Sequence, residues 1–255
     1  MLTSSSNEQI RHIIQLNTKA KARREENCFV AEGIKLFRET PEELRRRVYV
    51  SESFEREHRD LLGSTAYETV EDRLFAKICD TQTPQGILTI ASMPSYTREK
   101  LLGSGTPLVM VLEDLQDPGN VGTILRTAEG AGVTGVFLSS RTADIFQPKV
   151  IRSTMGSVYR VPFRREENLS EVVAWLKTKG VRTYAAHLQG KNSYSKEDYT
   201  GPTAFLIGNE GRGLTDELTA AADVKVRIPM EGRVESLNAA VASALFMYAA
   251  HESRG

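Results

Sequence analysis

The chain has 255 residues, 40% of them apolar and 26% charged, with 33 basic and 33 acidic side chains. That composition fits one or two globular domains and excludes disordered and fibrous classes. A formal net charge of zero also argues against holding a polyanion by bulk charge, which leaves local basic surfaces as the alternative.

The first residues, MLTSSSNEQIRHIIQL, lack the basic segment, apolar stretch and cleavage site of a signal peptide. The longest apolar run, in the C-terminal helix, is too short to span a bilayer. A cytoplasmic location without membrane association is expected. Cys28 and Cys79 have no metal-ligand spacing, and His12, His58, His187 and His251 are scattered, so reduced thiols and no metal centre are expected.

In chain order, a helical pattern at 7–24 leads to the strand CFVAEG, then to helix through IKLFRET and EELRR. The strand RVYVS, a charged helix to about 62, a short strand at AYETV, a helix around 71–80 and the strand GILTIAS follow. Such alternation predicts a small α/β domain over residues 1–91. Residues 92–106 carry Pro, Ser and Gly around basic residues and read as a linker.

A second domain, 107–255, opens with PLVMVLEDL, a continuous apolar run suited to a strand buried on both faces of a parallel sheet. Strands recur at VTGVFLS, SVYRVPF, VRTYAAHL, TAFLIG and DVKVRIPM. Helices are predicted at 121–131, 148–156, 168–180, 214–222 and 236–252. In the last helix Leu237, Val241, Ala244, Leu245 and Tyr248 form one apolar face, and alanines fill much of the remainder. That pattern suits either a core helix or a subunit interface. Two basic clusters stand out: Arg11, Lys19, Lys21, Arg23 and Arg24, then Arg141, Lys149, Arg152, Arg160, Arg164 and Arg165. Solvated faces and phosphate contacts both account for them.

Three glycine-bearing turns follow strands of the second domain, where open α/β sheets build ligand sites. In the first, Asp117-Pro118-Gly119-Asn120, Asn120 is expected to cap a helix that carries Gly122 and Arg126. A guanidinium there suits an RNA phosphate. The second is Gly208-Asn209-Glu210-Gly211-Arg212-Gly213. Its G-x-x-G-x-G order on a late strand differs from the G-x-G-x-x-G of a first dinucleotide-binding turn, which argues against a nucleotide-dependent oxidoreductase. The third runs from Glu231 to Asn238, with Ser236 as the expected cap of the last helix and Asn238 assigned a hydrogen-bonding duty.

Together N-x-G-x-x-x-R, G-N-E-G-x-G and I-P-M-x-G-x-x-x-S-L-N resemble the three motifs of the SpoU/TrmH family of RNA ribose 2′-O-methyltransferases, within the SPOUT superfamily. The resemblance covers roughly 107–252, and residues 1–91 resemble the family's ribosomal-protein-like RNA-binding domain more loosely. It implies an α/β SPOUT domain with a trefoil knot, a rare exception to unknotted topology. It also implies S-adenosylmethionine held around Gly208, Ile228 and Leu237, with Gly211 and Met230 beside them, and an obligate homodimer with its active site at the interface. By position, Asn120, Arg126, Glu210, Ser236 and Asn238 form the polar active-site set. A separate RNA-binding domain favours ribosomal RNA as substrate, with transfer RNA and a non-catalytic RNA-binding role as alternatives.

Overall fold

A computed structural model describes residues Met1–Gly255, which divide into two compact units. The first comprises Met1–Pro94 and Asp144–Tyr159. Its helices α1 (Glu8–Thr18) and α2 (Ala20–Glu26) are separated where Lys19 turns extended. There follow β1 (Cys28–Glu32), α3 (Ile34–Glu39), β2 (Arg45–Ser51), α4 (Glu52–His58), β3 (Glu68–Val70), α5 (Asp72–Ile78) and β4 (Ile87–Ser92). The sheet order is β1-β4-β2-β3, with β4 antiparallel to both its neighbours and β2 parallel to β3.

Side chains alternate across this sheet with the period of two that a strand imposes. Val48, Val50 and Ile87 join Phe37 and Phe54 on one face. Tyr49, Leu88 and Ile90 join Ile10, Ile13 and Leu16 of α1 and Phe75 of α5 on the other. Each face thus has its own helical cover.

The Asp144–Tyr159 excursion belongs to this unit and interrupts the second domain, whose expected course is unbroken from 107. Phe146 packs on Phe29, ring centroids 5.0 Å apart, and Thr40 donates to the Tyr159 hydroxyl at 2.9 Å. Arg23, only 4% exposed, donates to Asp144 through Nε and Nη2 at 3.0 and 2.6 Å and to the Leu16 carbonyl at 2.6 Å.

In the second unit, Ser95–Ala143 and Arg160–Gly255, β5 (Leu108–Leu112) leads to α6 (Pro118–Gly130) and β6 (Gly135–Ser139). The helix α7 (Pro148–Thr154) lies in the first unit's excursion. The chain returns through β7 (Phe163–Glu166), α8 (Leu169–Thr178), β8 (Arg182–Ala186), β9 (Asn192–Ser193), β10 (Thr203–Ile207), α9 (Asp216–Ala221), β11 (Val224–Arg227) and α10 (Ala239–Ser253). Seven strands form a parallel sheet in the order β7-β6-β5-β10-β8-β11-β9. Every residue of β5, β6 and β10 is buried, as helices on both faces require. Val109, Ala204 and Leu206 face α8 and α9, whereas Phe205 faces α10, its ring 5.2 Å from that of Phe246.

Three local expectations are corrected. SVYRVPF is not a strand: Met155 and Gly156 both take positive φ after α7, a 3-10 turn follows at Ser157–Tyr159, and pairing begins only at Phe163. The expected linker contains the 3-10 turn Glu99–Leu102, whose Leu101 is fully buried, and Arg98 grips Glu166 with two bonds of 2.8 Å. In α10 the buried face is Ala239, Ala240, Ser243, Phe246, Met247 and Ala250. Leu237 precedes the helix, and Val241 and Tyr248 are 50% and 44% exposed. Ala244 and Leu245 are half-buried, so the face named from the sequence is only partly covered within this chain.

Candidate active site

Strand order reverses between β5 and β10, and open α/β sheets place ligand sites at such points. Leaving β10, the chain makes a closed turn in which Asn209 and Gly213 exchange backbone hydrogen bonds of 3.0 and 2.8 Å. A Cβ on Gly208 would stand 2.1 Å from backbone atoms of Gly213 and Leu214, and Gly213 has φ of +71°. The close approach and the left-handed conformation explain glycine at these two positions. The Asn209 side chain accepts from the Gly211 and Arg212 amides, which fixes the turn from inside.

The two helix caps differ from expectation. Asp117, not Asn120, caps α6, accepting from the Gly119 and Asn120 amides with Pro118 in the first turn. Asn238, not Ser236, caps α10 by accepting from Ala240 and Val241 at 2.9 and 3.3 Å. A short acceptor beside free first-turn N–H groups serves as a cap wherever the backbone places it.

Relieved of capping, Asn120 is 8% exposed and bonds in two directions. Its Nδ2 donates to Glu210 Oε1 at 3.0 Å, and its Oδ1 accepts from Asn238 Nδ2 at 2.9 Å. Glu210 also accepts from the backbone amides of Gln116 and Asp117, both at 3.1 Å. One hydrogen-bonded chain therefore ties all three motif turns together. Partial desolvation works to raise the Glu210 pKa, yet the bonds from Asn120, Gln116 and Asp117 together outweigh it and hold the carboxyl below its ordinary value. A carboxylate so engaged is a poor proton acceptor.

Beside this chain opens a cleft of about 380 Å³ at the ends of β8, β10 and β11. It gathers Gly208, Gly211, Ile228, Met230 and Leu237, together with Glu210 and Ser236. Ile207, Leu214, Val226 and Phe246 supply apolar wall, and residues of the second and third turns line the rest. Sequence reading did not single out Ala186–Gln189 or Phe246, which also line it. Ala186–Gln189 reach it because β8 lies between β10 and β11, and Phe246 because α10 packs on β10, neither of which a local motif encodes. Arg126 is not brought in. It sits on the exposed side of α6 with no hydrogen-bond or ion-pair partner.

Of the basic stretch 141–165, Arg141 pairs with Asp114, Arg152 with Asp80, Arg160 with Glu129 and Arg164 with Glu166. Arg165 donates to the carbonyls of Ser139, Ser140, Thr142 and Ala143. Lys149 remains exposed. In the first unit, ligand atoms of His12, Glu26 and Cys28 lie within 4.8 Å of one another, a grouping that their spacing in sequence conceals. His12 and Glu26 are hydrogen-bonded, and burial pushes the Cys28 thiol up. No helix is long and apolar enough to cross a membrane.

Residues 107–248 match the model of the SpoU rRNA methylase family, and residues 7–89 match that of the MRM3-like substrate binding domain. The chain is 35% identical over 252 residues to the 23S rRNA (guanosine(2553)-2′-O)-methyltransferase RlmP of Bacillus subtilis, covering 97% of each. Among solved structures, it resembles the AdoMet complex of the SpoU methyltransferase AviRb from Streptomyces viridochromogenes, with TM-score 0.88 and 25% identity over 97% of this chain and 98% of that one. It also resembles an AdoMet-bound rRNA methyltransferase from Sinorhizobium meliloti, with TM-score 0.86 and 29% identity over 98% and 97%. With its parallel-sheet domain, its three joined turns and these likenesses, the chain belongs to the SpoU rRNA methylase family.

Proposed function

We propose that this protein transfers the methyl group of S-adenosylmethionine to a ribose 2′-OH in large-subunit ribosomal RNA. The observation that carries the reading is the chain Glu210–Asn120–Asn238, which joins the three motif turns beside one cleft. RlmP, alike over nearly its whole length, favours ribosomal RNA over transfer RNA. A cytoplasmic site of action agrees with that substrate.

The cleft suits S-adenosylmethionine, because its apolar wall matches an adenine and the amides of Ile228, Met230 and Leu237, which make no hydrogen bond within the chain, are left for an adenine edge and a ribose. Gly208, Gly211, Ile228, Met230 and Leu237 would hold it there. The trefoil knot implied by family membership would form the backbone around them. When bound, the cofactor supplies an electrophilic methyl group on a sulfonium. Asn120 and Asn238 orient the turns, Ser236 on the cleft wall offers its hydroxyl to the RNA, and Glu210 acts as an anchor. With its oxygens taken up by three donors, Glu210 leaves the 2′-OH proton to water.

A second copy completes the site in this reading. Val241 and Tyr248 form an uncovered apolar stripe on α10, which packs against α6, and α6 carries the unpartnered Arg126. A twofold contact through these helices would bury the stripe and present Arg126 at the partner's cleft. Arg126 then serves as a fixed positive charge on the substrate ribose and phosphate rather than as a base, since a guanidinium does not readily deprotonate.

The test is calorimetric binding of S-adenosylmethionine to the full chain, followed by transfer of a labelled methyl group to a large-subunit rRNA transcript. Binding and RNA labelling are both expected. Cofactor binding with the RNA left unlabelled, on naked transcript and on ribosomal particles alike, would contradict the catalytic reading.

A further inference from the structure

Asp114 lies just past β5, and nothing in the motif patterns draws attention to it. It is 5% exposed and has φ of +54°, a conformation that costs side chains other than Gly, Asn and Asp considerable strain. Strain of this kind persists only where the surroundings fix it. Here Ser139, at the end of β6, donates through its hydroxyl to Asp114 Oδ1 at 2.7 Å and accepts from the Asp114 amide at 2.8 Å. Arg141 reaches the other carboxylate oxygen at 2.7 Å. The same serine hydroxyl is 2.9 Å from that of Thr142.

The twisted backbone has consequences on both sides of the residue. The Asp114 carbonyl accepts from Asn209 Nδ2 at 2.8 Å and from Gln116 Nε2 at 3.0 Å. Asn209 is the residue that fixes the turn after β10 from inside. Two and three residues past Asp114, the amides of Gln116 and Asp117 point at Glu210. Residue 114 is therefore the point at which the loop after β5 reverses so that one carbonyl and two amides all meet the Asn209–Glu210 turn.

We propose that Asp114 is a positioning residue for the cofactor cleft: its carboxylate, fixed by Ser139 and Arg141, locks the left-handed backbone that holds Asn209 and Glu210 in place. This rests on the cleft being the S-adenosylmethionine site. Asp114 does not line the cleft and acts through the turn. A left-handed alanine is strained and has no carboxylate to compensate, so Asp114→Ala should let the loop relax. Asparagine tolerates the conformation and keeps an oxygen for Ser139, while the Arg141 partner is 71% exposed and adds little through charge.

The experiment measures S-adenosylmethionine affinity by calorimetry, single-turnover methyl transfer and RNA affinity, with the thermal midpoint as a control on folding, for the full chain and its variants. Asp114→Ala is expected to weaken cofactor binding about tenfold and slow transfer by at least as much, since misplacement of the order of an ångström has effects of that size. RNA affinity should stay within about twofold, because the unit that matches the MRM3-like substrate binding domain is untouched. Asp114→Asn should restore most of the cofactor affinity. Ser139→Ala, which leaves residue 114 unchanged and removes its tether, should shift cofactor affinity in the same direction and keeps the proposal testable if Asp114→Ala fails to fold. A folded Asp114→Ala with wild-type cofactor affinity would overturn the proposal, as would Asp114→Asn as impaired as Asp114→Ala. Wild-type protein that binds no S-adenosylmethionine would overturn the assignment of the cleft instead.

Discussion

Between residues 141 and 165 every arginine is already engaged: four hold carboxylates, and Arg165 is spread over four backbone carbonyls. On the motif turns and their flanks the opposite holds, where Arg126, Arg212 and Arg227 are exposed and their side chains have no partner. Read along the chain, the first region is far more basic. Read in space, the second has the cations to spare. A guanidinium with a carboxylate against it presents little net field to a phosphate, so charge counted in sequence and charge available to a ligand are different quantities.

The largest effect that sharpens this contrast is expected at Arg126. If it stabilises charge mainly in the transition state, Arg126→Ala should lower single-turnover methyl transfer by about 10²–10³, or roughly 3–4 kcal/mol, with cofactor affinity nearly unchanged. Arg126→Lys should recover part of the rate, because it keeps the charge without the planar fork. Wild-type turnover in Arg126→Ala would make this arginine an ordinary surface residue and erase the distinction between the two regions.

Arg23 extends the contrast to the first unit. Part of a basic cluster in sequence, it is buried against Asp144 and the Leu16 carbonyl. Removing one member of such a pair leaves a carboxylate poorly compensated, so Arg23→Ala should destabilise the fold by about 3 kcal/mol in denaturant melts. An unchanged midpoint would show that this arginine is free for other work.

Glu210 should follow in size. Glu210→Gln removes the charge that three donors address and is expected to weaken S-adenosylmethionine binding about tenfold. Hydrogen bonding lowers the Glu210 pKa in the folded protein, so its contribution is complete above the unfolded carboxyl value of about 4.3 and is lost as pH falls through the lower folded value. Cofactor affinity should therefore hold from neutral pH down to that region and decline below it in wild type, with no such decline attributable to residue 210 in the Gln variant. A decline beginning near neutral pH would contradict the lowered pKa.

The smallest effects concern salt. Arg160→Ala breaks an exposed pair and should change stability by less than about 1 kcal/mol while leaving the salt slope of RNA binding unaltered. Replacing the exposed Arg11 and Arg24 together should lower the slope by up to about 2, because each phosphate that is no longer neutralised keeps its condensed counterion. A slope that falls with Arg160 and not with Arg11 and Arg24 would invert the comparison.

What was legible in the sequence was whatever is encoded locally. Strand and helix periodicity placed nine of the eleven strands, missing β7 and β9, and the three turns drew attention to Asn120, Glu210 and Asn238, which the fold joins. What escaped depends on partners distant in sequence. Asp117 and Asn120 are equally good caps by residue type, and only the backbone decides between them. Both faces of α10 are apolar, so its pattern cannot say which one meets the core. The pairing of Arg23 with Asp144 spans 121 positions. The strain at Asp114 is a property of φ that its residue type permits without announcing.

The central claim is that the three joined turns build a ribose methylation site, and the most direct measurement is nucleotide-resolution mapping of 2′-O-methylation in large-subunit rRNA treated with the full chain and with Asn120→Ala. Asn120 links Glu210 to Asn238, so its removal cuts the network at its centre. The account predicts a new ribose methyl group at a defined position with the wild-type chain and its loss, or a fall of at least about 10²-fold in rate, with the variant. Equal methylation by both proteins, or a methyl group found on a base instead of a ribose, would contradict it.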